Sequence, residues 1–87
     1  MHVRVHPRVI ERHPELSEDD VLAAFNGALR SMPREGSGFP PRWVGVGLDG
    51  RGRLLQWLAA QEQIDEWLVY HAMPVTTKVL IEVGLRR

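Results

Sequence analysis

The spacing of apolar residues changes character part-way along this chain, and that change restricts the fold more than any other feature. Across 16–29 the apolar positions Val21, Leu22, Phe25, Ala28 and Leu29 follow the i, i+1, i+4, i+7, i+8 spacing of a single helical stripe. From Trp43 onward the runs are short, branched and aromatic. Trp43-Val44-Gly45-Val46-Gly47-Leu48, the tight-turn sequence Asp49-Gly50-Arg51-Gly52 and the run Arg53-Leu54-Leu55-Gln56-Trp57-Leu58-Ala59-Ala60 read as a β-hairpin. A chain that is helical first and extended afterwards belongs to the α+β class.

The helix over 16–29 carries its own start signal. Ser17 caps the orphan amides, Asp20 stands three residues on as the capping-box acid, and Leu16 staples onto Val21. Glu18, Asp19 and Asp20 load the first turn with the negative charge that the helix dipole favours. Ahead of it, 6–13 suits a short helix or turn, and His2-Val3-Arg4-Val5 alternates like a strand, with Pro7 dividing the two. Behind it, Pro33, Gly36, Gly38, Pro40 and Pro41 predict a loop.

Gly45 and Gly47 share one strand face, where missing side chains let a helix or ligand come close. A polar connection over 61–66 leads to a third strand, Trp67-Leu68-Val69-Tyr70-His71-Ala72-Met73, stopped by Pro74. The closing segment 76–84 has strand-like branched content. Thr at its front, Val75, Val79 and Val83 at four-residue spacing and a terminal Gly84 favour a helix, which is the expectation adopted. The expected fold is therefore α+β: N-terminal helices, a three- to four-stranded antiparallel meander sheet with Val3 to Val5 as an optional edge, and a short C-terminal helix, all in one domain over 1–87.

Eighty-seven residues support one core, since chains of this size bury only about 60 to 65% of their unfolded surface. There is no cysteine, so neither disulfides nor a thiolate metal cluster is expected, and a reducing cytoplasm suits the chain. Charge and Pro7 near the first residues do not make a signal peptide, and no stretch approaches the roughly 20 apolar residues of a membrane span. Ten arginines and one lysine balance eleven acids. Zero net charge argues against tight nonspecific binding of polyanions and leaves room for a local basic face.

Three segments carry a resemblance. Arg12-His13-Pro14-Glu15-Leu16-Ser17-Glu18-Asp19-Asp20-Val21 resembles the helix opening of BrnT-like toxins, and Gly52-Arg53-Leu54-Leu55 resembles their second strand. Trp67 to Pro74 followed by Lys78 looks like the third strand and helix start of actinobacterial relatives in that group. The resemblance implies a RelE-like fold and the toxin half of a bacterial type II toxin–antitoxin pair. It also implies an endoribonuclease that needs no metal or organic cofactor, and a cognate antitoxin that masks its site. RNA, free or at the ribosome, and the antitoxin are the implied partners; a membrane is not.

Cofactor-free RNA cleavage needs a base for the ribose 2′-hydroxyl, an acid for the leaving 5′-oxygen and cations at the developing phosphorane. His71, Lys78 and Arg53 are the catalytic candidates, His71 for proton transfer and the cations for charge. Arg12, His13 and Tyr70 are the RNA-binding candidates; strand alternation puts Tyr70 and His71 on opposite faces. Each also has an ordinary structural reading, as surface charge or half-buried ring. His2 and His6 share a face without a third ligand, so no metal site is expected. Trp43, Trp57 and Trp67 are expected to pack a core. Met73 stands near where BrnT-like proteins carry an arginine and Pro14 where they carry glycine. With the zero net charge, Met73 supports an alternative, a non-catalytic protein-interaction module that keeps the toxin fold.

Overall fold

The computed structural model describes residues 1–36 and 38–87. In chain order the elements are β1 (His2–Val5), α1 (Pro7–Arg12), α2 (Glu18–Asn26), β2 (Ala28–Arg34), β3 (Arg42–Leu48), β4 (Leu54–Gln63), β5 (Glu66–Pro74) and α3 (Thr77–Glu82). The five strands form one mixed sheet in the order β1-β5-β4-β3-β2. β2 to β5 pair antiparallel, whereas β1 runs parallel to β5, with Val3 opposite Trp67 and Val5 opposite Val69.

This corrects the expected architecture, a three- to four-stranded antiparallel meander following N-terminal helices. A strand precedes the helices, and α1 and α2 carry the chain from it to the opposite edge at β2, so that β1 meets β5 in parallel only when the sheet is complete, which periodicity alone does not reveal. The second departure is β2. The helix over 16–29 stops at Asn26, where the amide of Gly27 bonds the carbonyl of Ala23, and Ala28 and Leu29 enter a strand instead of extending the apolar stripe. Pro33 and Arg34, assigned to a loop, finish that strand. β2 is an edge strand exposed along its whole length, where a missing amide is tolerated. The rest of the expected loop, apart from position 37, which lies outside the described residues, contains no regular element. The supposed connection over 61–66 is mostly strand, because β4 continues to Gln63 and β5 begins at Glu66.

Local signals elsewhere hold. Ser17 Oγ accepts from the Asp20 amide at 3.1 Å while the Asp20 carboxylate accepts from the Ser17 amide at 2.9 Å, closing the capping box. Thr76 caps α3 and Gly84 follows its end with φ +82°, so the closing segment forms a helix over Thr77–Glu82. Pro7 opens α1 directly after β1.

Helices cover both faces of the sheet. On one, α1 and α2 bury Val9, Leu16, Val21, Ala24 and Phe25 against Leu55, Trp57, Ala59, Val69 and Ala72, with Trp43 and Trp67 packed alongside. The two glycines of β3 serve this face. A Cβ on Gly47 would lie 2.0 Å from the Ala24 carbonyl oxygen, and one on Gly45 would lie 2.1 Å from the Trp57 ring. Trp57 uses that space to donate Nε1 to the Ala24 carbonyl at 3.2 Å, which ties β4 to α2. On the other face the short α3 sets Val79 and Val83 on Val44 and Val46. α3 is six residues long and leaves part of its face uncovered.

Candidate functional site

Strand register sets the uncovered face. Arg4 pairs with Leu68, Leu68 with Ala60, Ala60 with Arg42, and Arg42 with Arg34, so one row crosses all five strands. Trp67 and Val69 belong to the helix-covered core, so Leu68 and its row point the other way. With strands about 4.8 Å apart, three arginines lie along a line whose middle is small and apolar.

Two of the three are neutralised by neighbours. Arg4 pairs with Glu62, and Arg34 grips Glu82 of α3 with Nε at 2.9 Å and a terminal nitrogen at 2.8 Å. That fork holds the Glu82 carboxyl below its usual range, with a smaller lowering contribution from Lys78. Arg42 differs: its guanidinium lies over the Tyr70 ring, 5.5 Å from the centroid, and among the described residues no carboxylate pairs with it.

A bulge brings the two expected β5 residues to this face together. Leu58 pairs with His71 while Ala59 pairs with Val69, so Tyr70 is the extra residue. Val69 and Ala72, three apart, both enter the helix-covered core, and Tyr70 and His71 between them face the opposite way. The expectation from simple alternation, opposite faces, is thereby overturned.

His71 is half-buried and its pKa is lowered. Burial is the main cause, and the neighbouring charges of His13, Arg12 and Arg34 add to it. A neutral imidazole is therefore favoured at neutral pH, as a proton acceptor requires. Arg12 and His13 act on His71 from the end of α1, which packs against β5 where β1 stops; the His6 amide donates to the Val69 carbonyl at 2.8 Å. His13 Nδ1 lies 3.1 Å from a Glu15 carboxylate oxygen.

Arg53 and Lys78 are placed differently. Arg53 donates Nε to Asp49 at 2.6 Å and a terminal nitrogen to Asp20 at 3.2 Å, and Arg51 also reaches Asp20 at 3.1 Å. These contacts lock the β3–β4 turn to the start of α2. The Asp20 carboxyl is lowered first by the Ser17 amide, against burial, and then by the Ser17 hydroxyl and the two arginines. At Asp49 burial raises the carboxyl, but the amides of Arg53 and Arg51 and the Arg53 side chain outweigh it and the net shift is downward. Arg53 is thus a structural cation, and it is not among the charges shifting His71. Lys78 is exposed in the first turn of α3, with its charge acting on Glu82.

The structure puts Tyr70 and His71 on one face, with Arg12 and His13 near enough for their charges to act on His71, and adds Arg42, Arg34, Arg4, Glu62 and Glu82, which sequence reasoning missed. Arg42 had one legible signal, since it alternates in phase with Val44 and Val46, away from Gly45 and Gly47. The row itself depends on register between strands far apart in sequence. No protein-family model, curated protein or solved structure matches the chain. Among the described residues no helix is long and apolar enough to cross a membrane.

Proposed function

We propose that this chain is a metal-independent endoribonuclease, the toxin component of a bacterial toxin–antitoxin pair, and that RNA lies across the uncovered sheet face. The observation that carries the reading is the β5 bulge, which sets Tyr70 and His71 on the same face as Arg42 and Arg34. In this reading neutral His71 takes the proton from a ribose 2′-hydroxyl, whose oxygen attacks the adjacent phosphorus as the bond to the 5′-oxygen breaks. His13, oriented by Glu15, returns a proton to the leaving oxygen. Arg12 and Arg42 stabilise the charge on the phosphorane oxygens. Lys78 steers the polyanion from the rim, and Arg53 holds the scaffold. A cognate antitoxin inhibits by covering this face.

The test is cleavage of labelled single-stranded RNA by the purified chain in excess EDTA, alongside growth after induction in a heterologous bacterium. The expected result is cleavage and growth arrest, with both lost in His71→Ala. RNA that stays intact with the wild-type chain would overturn the nuclease reading. An inert chain that still captures a partner on the same face would instead support the interaction module, which Met73 and the zero net charge favour.

A further inference from the structure

The uncovered face holds a shallow cavity of about 260 Å³ lined by Pro40, Arg42, Ala60, Glu62, Leu68 and Tyr70. Its volume falls below the roughly 300 to 1,000 Å³ of sites that enclose a drug-sized molecule, so it suits one ring of a larger ligand. Ala60 and Leu68 are register partners and form an apolar floor. The Tyr70 ring, with Arg42 stacked over it, forms one wall and Pro40 contributes to the rim. We propose that this cavity is a base-docking subsite that takes one unpaired nucleobase of single-stranded RNA, with the attached phosphate held by Arg42. This inference rests on the reading of the face as the RNA-binding surface and adds which part of the RNA it reads.

Three features select the ligand. An aromatic wall beside an unpaired guanidinium is the pairing single-stranded nucleic acids use, stacking for the base and charge for the backbone. Among the described residues no acid neutralises Arg42, unlike Arg4 and Arg34 of the same row, so it can take a phosphate without breaking an ion pair. The third feature is charge polarity. Glu62 lines the same cavity already paired with Arg4, so that end is satisfied within the chain, which leaves the phosphate to the Arg42 side and the floor to the base. An acidic peptide could satisfy Arg42, but it has no ring for the floor.

The experiment compares binding of a single-stranded RNA tetranucleotide, its fully abasic counterpart and an oligoglutamate of equal charge. Wild type, Tyr70→Ala and Tyr70→Phe are used, with folding of each variant checked by circular dichroism. The expected result is binding of the base-bearing tetranucleotide roughly 5- to 100-fold tighter than the abasic one, as stacking of one base supports. That preference should vanish in Tyr70→Ala and persist in Tyr70→Phe, which keeps the ring. Equal binding of the base-bearing and abasic strands, oligoglutamate binding as tight as RNA, or no binding at all would overturn the subsite. Cleavage of the same RNA separates the two readings: cleavage without base preference leaves the nuclease and removes the subsite, while base preference without cleavage does the reverse.

Discussion

The two faces of the sheet spend the same residue type in opposite ways. At the corner where the β3–β4 turn meets α2, Arg53 and Arg51 converge on Asp20 and Asp49, both buried carboxylates held in the charged form by several donors. On the face left open beyond α3, Arg42 rests on an aromatic ring with no carboxylate among the described residues. The corner is closed because every charge is answered within the chain, and the open face is available because one is not. An arginine in this fold is thus locked into the scaffold or left without an acid according to which carboxylates the register brings to it. Neither its number nor its propensity decides.

The sharpest way to break this contrast is at His71. If the open face is the reactive one, His71→Ala lowers RNA cleavage by about 10²- to 10⁴-fold, the range of a lost proton-transfer group, with thermal unfolding little changed. A comparable loss of cleavage in a correctly folded Arg53→Ala chain would erase the distinction between the faces. The two cores should differ as well. Leu55, fully buried beneath α1 and α2, costs about 2 to 5 kcal/mol when cut to Ala, measured by denaturant unfolding. Val79, on the inner side of the short α3, costs about 1.5 kcal/mol when cut to Ala, the transfer value of two methylene-sized groups. Equal losses would mean that α3 is as deeply integrated as α2.

Acid titration distinguishes the faces by pH window. His71 is lowered from its ordinary 6.5, so above that value it is neutral both folded and unfolded and contributes no slope. As pH falls below 6.5 the unfolded chain takes the proton first, stability declines, and the decline ends once pH passes below the folded value. His71→Gln removes this slope. The corner acts lower on the scale. Asp20 and Asp49 are both lowered from 3.8, so their stabilisation is complete above that value and is lost as pH falls through their folded values. A chain whose stability is flat from pH 7 to 5 would contradict the environment assigned to His71.

How much of this the sequence shows depends on the distance over which each feature is encoded. The α2 cap, the β3–β4 turn and the α3 cap are written within four residues by Ser17 and Asp20, by Asp49 and Gly52, and by Thr76, so they are legible. β1 was readable as a strand, but its parallel place beside β5 was not, because the partner lies more than sixty residues away. β2 was hidden by Leu29 and Pro33: one fits a helical stripe, the other reads as a breaker, and both are accommodated by an exposed edge. The same limit applies to the site. Tyr70 and His71 were visible as residue types, but the bulge that places them on one face comes from β4–β5 register, and the arginine row from register across five strands. Arg53 carried a resemblance to a toxin strand, and its two carboxylate partners show why a basic residue at a strand start is ambiguous from sequence.

The most direct test of the contrast between the faces is the salt dependence of single-stranded RNA binding by wild type, Arg42→Ala and Arg53→Ala. Each phosphate contact contributes about 0.7 to the slope of log affinity against log salt for single strands. If RNA lies on the open face, Arg42→Ala reduces the slope by about that amount with unfolding unchanged, while Arg53→Ala leaves the slope intact and lowers stability. Slopes reduced equally by both substitutions, or reduced only in Arg53→Ala, would contradict that contrast.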